Sequence, residues 1–158
     1  MERTSWSTVA GLAGDDMSRL WDARSVVFRT DASLDIGTGH VMRCLTLAEE
    51  LKKVGAGCRF VCREHPGNLV SFIRERGFEV AALPLDAAAT GEADSQRSRE
   101  PSHYAWLGGD WKTDADAVRA ALGADGCDWL VVDHYALDRR WESELRHACR
   151  RLLVIDDL

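Results

Sequence analysis

The sequence lacks an excess of basic charge. Its 158 residues contain 20 Lys and Arg against 26 Asp and Glu, which gives a formal charge of −6 at pH 7. Nucleic-acid-binding proteins rely on a basic stripe or patch that neutralises phosphates, so this chain is not predicted to bind DNA or RNA. The acidic balance still allows a nucleotide ligand, because a few backbone N–H groups can hold one without net positive charge.

Long apolar segments and cysteine pairs are also missing. No run approaches the roughly 18–20 apolar residues that cross a bilayer, and residues 1–24 do not resemble a signal peptide. The five cysteines are odd in number and form no C-x-x-C motif, which is typical of reduced thiols in a cytosolic protein. These absences predict a cytoplasmic protein without a membrane partner.

The chain alternates between short buried strands and helical segments. The predicted strands are SVVFRT (25–30), CRFVC (58–62), FEVAALP (78–84), CDWLVVDHY (127–135) and RLLVIDDL (151–158). They are apolar and rich in β-branched or aromatic residues. Helical periodicity fills the segments 41–55, 69–77, 111–123 and 137–150. This alternation predicts an α/β fold, a Rossmann-like parallel sheet with helices on both faces.

Two segments fall outside the alternation. Residues 1–24 show no period and are interpreted as a loose N-terminal extension. Residues 85–103 are interpreted as a mobile insertion, since a loop of this length is uncommon inside a compact domain. The rest, 25–158, is predicted to form one Rossmann-like domain. Its last strand runs into the end of the sequence, so we expect the chain to be half of a larger unit.

The strongest local signal is RTDASLDIGTGHVMRC, residues 29–44. A strand leads through Gly37, Thr38 and Gly39 into a helix, so backbone N–H groups at the helix start can face an anion or a carbonyl oxygen. The segment is not a Walker A loop, because no Gly-Lys-Ser/Thr follows. It also departs from the dinucleotide fingerprint, in which a third glycine would replace Met42.

His40 makes this turn more informative. The positive end of the helix dipole favours a neutral imidazole at this position, and neutral imidazole is the form that can take a proton from water. Gly39 leaves room for a substrate beside the ring. His40 is therefore a candidate general base; the alternative is a cap or a polar lining residue.

Further polar side chains are candidates for contacts with a substrate. Asp31 and Asp35 flank the turn, and either could orient the imidazole, bind a sugar hydroxyl or only form the turn. Arg43 could meet a phosphate, face solvent or form an intrachain ion pair, and Thr38 is a small donor near the turn. The ends of the fourth and fifth strands add a set for which we leave open a His–Asp hydrogen bond, a substrate contact or a loop-fixing role. That set is Asp133, His134, Tyr135, Asp156 and Asp157.

Several blocks of the chain resemble one enzyme family. They are FRTDASLDIGTGHVMRCLTLAEELKKVGA, FVCREHPGNL, RGFEV, YAWLGGDWKTDA, DWLVVDHYALDRRWE and VIDDL. They are similar to the UDP-2,4-diacetamido-2,4,6-trideoxy-β-L-altropyranose hydrolases of pseudaminic acid biosynthesis, which serves flagellin glycosylation. The resemblance covers residues 25–158.

The resemblance implies a GT-B-like architecture similar to that of the MurG glycosyltransferases, with the active site between two Rossmann-like domains. It implies hydrolysis of the UDP-sugar with inversion, giving UDP and the free sugar. His40, which matches the histidine of the family's G-x-G-H motif, is then the general base. No metal and no cofactor is implied.

The carboxyl-terminal domain, which holds most uridine and diphosphate contacts in such enzymes, is absent from this sequence. We expect a fragment, one chain of a two-chain enzyme or a vestigial module, with little turnover in isolation and a missing domain or second chain as its partner. Two alternatives are a GT-B glycosyltransferase half, which would use a sugar acceptor instead of water, and a non-catalytic Rossmann-like interaction module.

Overall fold

The computed structural model describes residues 24–85 and 104–155. Along the chain these residues form β1 (Ser25–Thr30), α1 (Gly39–Lys53), β2 (Gly57–Arg63), α2 (Val70–Glu75), β3 (Glu79–Leu83), a 3-10 turn (Tyr104–Leu107), α3 (Trp111–Leu122), β4 (Cys127–Asp133), α4 (Arg139–Leu145) and β5 (Cys149–Val154). No helix in these two ranges has both the length and the apolar character needed to span a membrane.

The five strands form one parallel sheet in the order β3-β2-β1-β4-β5. The chain first moves outward from β1 to β3 and then returns to build β4 and β5 on the other side of β1. The predicted Rossmann-like α/β fold is therefore confirmed. The strand order reverses between β1 and β4, and ligands of such sheets bind outside the carboxyl ends of the strands at this switch point.

Helices cover both faces of the sheet because the central strands are apolar on both sides. On one face α1 and α2 pack against Phe28 and Phe60, whose rings stack at 4.9 Å. On the other face α3 and α4 pack against Val27 and Leu130, with Trp141 fully buried between them. Alternate residues of each strand thus face different helix pairs.

Three predicted boundaries are wrong. The segment 137–150 does not stay helical, because α4 ends at Leu145 and β5 begins at Cys149, which pairs with Cys127 in the parallel register. Strand pairing here prevails over the local helical pattern. β4 ends at Asp133 and not at residue 135. Arg24, assigned to the extension, belongs to the fold, since its carbonyl accepts the N–H of Gly57 at 2.8 Å. Residues 1–23 and 86–103 lie outside the described residues.

Four charged side chains are buried together near the carboxyl ends of the strands; Arg29, Asp31, Arg63 and Asp114 are the buried charge cluster. Arg29 donates to Asp31 Oδ1 at 2.6 Å and to both oxygens of Asp114 at 2.7 and 3.2 Å. Arg63 donates to Asp114 Oδ2 at 2.8 Å. Trp141 Nε1 donates to Asp114 Oδ1 at 2.9 Å. The two positive and two negative charges of the cluster therefore balance one another.

Both carboxylates of the cluster stay ionised. Burial alone would raise the pKa of Asp114, but the nearby Arg29 and the hydrogen bonds from Arg29 and Arg63 lower it below its ordinary value of 3.8. Burial opposes ionisation of Asp31 as well, and Arg29 together with two neighbouring histidines holds the pKa of Asp31 well below 3.8. Each carboxylate is thus stabilised more in the folded protein than in the unfolded chain.

Replacing Asp114 by Asn should strongly destabilise the fold, because it leaves two buried guanidinium groups with one carboxylate. We expect Asp114→Asn to lower the free energy of unfolding by about 3–5 kcal/mol, measured by urea denaturation. Asp116→Asn is the matched control on the same helix: Asp116 pairs with Arg119 at the surface and should contribute about 0.5 kcal/mol at most. Equal effects of the two substitutions would contradict a structural role for the cluster.

The destabilisation by Asp114→Asn should depend on pH. Because the folded-state pKa of Asp114 is lowered, the carboxylate contributes its full stability above the ordinary value of 3.8 and loses that contribution as pH falls through the lowered pKa. The difference between wild type and Asp114→Asn should stay constant from pH 7 to about pH 5 and shrink below pH 3.8, in urea titrations at each pH. A difference that grows on acidification would disprove this assignment.

Candidate functional site

A histidine and an aspartate meet at the switch point of the sheet. His40 lies in the first turn of α1, which follows β1, and Asp133 is the last residue of β4. Asp133 is paired in register with Thr30 of β1. His40 Nδ1 lies 2.7 Å from Asp133 Oδ1, so the pair joins the ends of the two strands between which the strand order reverses.

The turn before His40 is shaped by Ser33 and two glycines. Ser33 Oγ accepts the N–H groups of Asp35 and Ile36 at 3.1 and 2.9 Å, and Ser33 O accepts that of Gly37 at 2.9 Å. Gly37 has φ of 79°, a left-handed conformation that favours glycine. A Cβ atom added at Gly37 or Gly39 would meet nothing within 4 Å. Open space therefore lies directly beside the first turn of α1.

Asp133 is fully buried, and its carboxylate is held by His40, by Arg43 and by the thiol of Cys44, whose Sγ lies 3.8 Å from Oδ2. It accepts His40 Nδ1, and Arg43 contacts both of its oxygens through Nε at 2.8 Å and Nη2 at 2.9 Å. Burial on its own would raise the pKa of Asp133, but the hydrogen bonds from His40 and Arg43 and their charges hold it below its ordinary value. The carboxylate is thus a permanent acceptor for His40.

The ionised Asp133 determines which nitrogen of His40 can act. Because Nδ1 donates to the carboxylate, the neutral ring leaves Nε2 with a free lone pair. Nε2 makes no hydrogen bond within residues 24–85 and 104–155. The ring lies just beneath the surface at 8 % exposure, next to the exposed Thr38 and Gly39. This arrangement can accept a proton from a molecule bound at the carboxyl edge.

Aromatic side chains adjoin the histidine on one side. The Tyr135 ring meets the His40 ring edge-on, with centroids 4.7 Å apart and an interplanar angle of 86°. Trp106 lies next to Tyr135, with centroids 6.3 Å apart. Two apolar side chains in the same region, Leu34 and Met42, are exposed at 82 % and 40 %. The edge of the sheet around His40 thus combines a proton acceptor with apolar surface.

The structure brings most of the predicted site residues together, although not in every predicted role. Arg43 contacts Asp133 and is only 39 % exposed at its side chain, so it supports the His–Asp pair and does not simply face solvent. The residues gathered at the turn and the end of β4 are Gly37, Thr38, Gly39, His40, Arg43, Asp133 and Tyr135. Asp156 and Asp157 lie outside the described residues.

Asp31 and His134 lie beneath this surface. Asp31 is 0 % exposed and its Oδ1 accepts Arg29 and the backbone N–H of Arg63. It does not contact His40, so orienting the imidazole, one of the roles left open for Asp31, belongs to Asp133 instead. The reason is the alternation of side chains along a strand: Asp31 faces α3 with Arg29, whereas Asp133 faces α1. His134 is 5 % exposed and lies on the same side as Asp31.

Sequence reasoning missed the buried charge cluster and His65, whose Nε2 lies 3.6 Å from Asp31 Oδ2. A signal was present, because Arg29 and Arg63 are arginines inside otherwise apolar strands. A buried guanidinium needs a carboxylate partner. No short motif identifies Asp114 as that partner, since it lies 85 residues from Arg29 along the chain.

A second concave region lies at the opposite edge of the sheet, far from His40. It is a groove between the ends of α3 and α4 and the starts of β4 and β5, lined among others by Arg119, Glu144 and His147. Parallel α/β sheets place their ligand sites at the carboxyl ends of the strands and not at the amino ends. We therefore assign the candidate site to the His40 edge.

Comparisons with known proteins do not identify a family for this chain. In the described part of the chain no three His, Cys, Asp or Glu side chains are arranged to hold a metal ion. Neither a protein-family model nor a curated protein matches the chain. The fold and the site together define a Rossmann-like α/β domain with a His–Asp pair at its switch point.

The contact with Asp133 predicts the tautomer of His40. We expect the neutral His40 ring to carry its proton on Nδ1 and to leave Nε2 unprotonated, as observed in the ¹⁵N chemical shifts of the side chain. The exposed His147 serves as the internal reference for a ring without this carboxylate. Asp133→Leu should abolish the preference for Nδ1–H. A protonated Nε2 in neutral wild-type His40 would contradict the proposed hydrogen-bond direction.

Proposed function

We propose that this chain is the amino-terminal, base-bearing half of a GT-B-type hydrolase. Its substrate is a UDP-activated diacetamido-trideoxy sugar, UDP-2,4-diacetamido-2,4,6-trideoxy-β-L-altropyranose, and its products are UDP and the free sugar. The resemblance of residues 25–158 suggests the substrate. The observation that carries the proposal is the His40–Asp133 pair at the switch point, beside a glycine turn with open space.

In the proposed reaction His40 Nε2 takes a proton from a water molecule that attacks the anomeric carbon. The water oxygen forms a bond to that carbon while the bond from the carbon to the UDP oxygen breaks on the opposite face. Configuration is therefore inverted, and the electron pair leaves with UDP. Asp133 stabilises the imidazolium that forms, as a buried carboxylate does in other His–Asp pairs. A stabilised diphosphate leaving group needs no strong general acid.

The glycine turn supplies space and donors for the sugar. The first N–H groups of α1 have no partner inside the helix, and they are at the positive end of its dipole. A sugar carbonyl or a phosphate oxygen can approach them because Gly37 and Gly39 carry no side chains. The uridine and most diphosphate contacts belong, in this proposal, to a second Rossmann-like domain, either carboxyl-terminal or on another chain.

We place the reaction in the cytoplasm. All five cysteines are free thiols in the structure, which agrees with a reducing compartment. Burial raises the pKa of Cys127 to about 12 and that of Cys58 to about 11, so these thiols are protonated and unreactive near neutral pH. Cys127 lies in the core and Cys58 packs against it, and neither thiol has a part in the proposed chemistry.

Loss of the His40 imidazole should remove general-base catalysis. We expect His40→Gln to lower the rate of UDP release roughly 10²–10⁴-fold, measured on the UDP-sugar without an acceptor. The rate is measured for the 158-residue chain alone, where it should be slow, and with a nucleotide-binding partner domain supplied. His147→Gln is the control, since His147 lies at the opposite edge of the sheet and should leave the rate unchanged.

The same assay separates the alternatives. UDP release that requires a sugar acceptor would indicate a GT-B glycosyltransferase and overturn the hydrolase assignment. Sugar-nucleotide binding without turnover in any combination of domains, or turnover that survives in His40→Gln with the fold intact, would exclude His40 as the base. Neither alternative is favoured by a contact in the described residues.

A further inference from the structure

His134 is a second buried histidine at the same edge, and both of its ring nitrogens are engaged. Nδ1 accepts the backbone N–H of Ala136 at 3.1 Å. A ring nitrogen that accepts a hydrogen bond carries no proton, so the proton of the neutral ring is on Nε2. Nε2 lies 3.1 Å from Asp31 Oδ2, close enough for the ring to contact the carboxylate, although the alignment of the two buried atoms falls short of a hydrogen bond.

Asp31 is a fixed anchor for this ring. Its other oxygen receives Arg29 Nη1 and the backbone N–H of Arg63, both at 2.6 Å. Those contacts join Asp31 to two neighbouring strands. Through Arg29 they also join Asp31 to Asp114 of α3. An imidazole held against Asp31 therefore cannot move without disturbing the core of the domain.

The segment that His134 holds is the turn after β4. The carbonyl of His134 accepts the N–H of Leu137 at 3.1 Å, and its ring accepts the N–H of Ala136. Tyr135 lies between these two contacts, and its ring touches the ring of His40. The position of Tyr135 beside His40 is thus linked to a turn whose inner side lies against Asp31.

We propose that His134 is a positioning residue: it fastens the turn at residues 134–137 to Asp31 so that Tyr135 stays edge-on to His40. It does not contact the substrate itself. The kinetic consequence rests on the proposed hydrolase function, whereas the positioning of the two rings does not. Burial lowers the pKa of His134 below its ordinary value of 6.5, so the ring stays neutral and keeps both contacts at neutral pH.

Two substitutions separate the contacts of the ring. In His134→Asn the amide oxygen can accept the N–H two residues ahead, as in an Asx turn, but the contact with Asp31 is lost. In His134→Gln the longer amide can donate to Asp31 but does not place an acceptor near Ala136. Tyr135→Leu serves as the reference in which the ring contact to His40 is absent.

The test is NMR spectroscopy of the full chain, in which the ring protons of His40 report the shielding by Tyr135. We expect both variants to move the His40 signals most of the way to their position in Tyr135→Leu, because His134→Gln breaks the link at the turn and His134→Asn breaks it at Asp31. In the hydrolase assay His134→Gln should lower kcat about tenfold or more with little change in KM, because misplacement of a catalytic group by about 1 Å is that costly.

Several results would overturn the proposal. One is a folded His134→Gln protein with unchanged His40 signals, and another is a folded His134→Asn protein with unchanged His40 signals, since that variant has lost the contact with Asp31. If His134→Gln does not fold, the proposal can still be tested in the wild-type protein. Its ¹⁵N shifts must show that Nδ1 of His134 is unprotonated and that Nε2 is protonated. A failed hydrolase assay with the expected NMR result would disprove the proposed function and leave the positioning role intact.

Discussion

The fully buried guanidinium of Arg29 is the constraint on which the rest of the structure depends. Removing a charge from water costs several kcal/mol unless partners of opposite charge replace the water. Arg29 finds these partners in Asp31, two residues further along the chain, and in Asp114 of α3. The carboxyl end of β1 can therefore form only together with α3 and β2. Because the cluster lies directly beneath the candidate site, the geometry of the site is determined by the core.

The alternation of side chains divides the carboxyl edge into two sides with different roles. Residues that face α3 and α4 lie against the buried charge cluster. Asp31 and His134 are among these residues, so their side chains are inaccessible and hold the adjoining loops in place. Residues that face α1 lie next to the glycine turn, so Asp133 meets His40 close to solvent. His40 and His134 both contact an aspartate at this edge of the sheet. The second ring nitrogen distinguishes them: Nδ1 of His134 accepts the N–H of Ala136 while its Nε2 faces Asp31, whereas His40 uses only Nδ1 for Asp133.

The fold could be predicted from the sequence because its strands are apolar runs separated by helical periods, which is what a sheet buried on both faces requires. The turn of Gly37 to Gly39 and the position of His40 followed from the same pattern. The partner of His40 could not be predicted in this way, because Asp31 and Asp133 both lie at the ends of apolar strands. Only the side of the sheet that each side chain faces distinguishes them. The start of β5 was missed for a similar reason: the pairing of Cys149 with Cys127 is a contact between strands and has no local signal.

Gly39 shows how the proposed chemistry and the fold make different demands on one turn. Gly37 needs its left-handed φ, so the fold alone explains a glycine there. Gly39 has an ordinary helical place at the start of α1, and beyond its own turn of helix a Cβ atom would meet no atom of residues 24–85 and 104–155 within 4 Å. Nothing in the packing of the described residues requires a glycine at this position. The missing side chain leaves open space at the first turn of α1, one residue before the histidine that Asp133 orients.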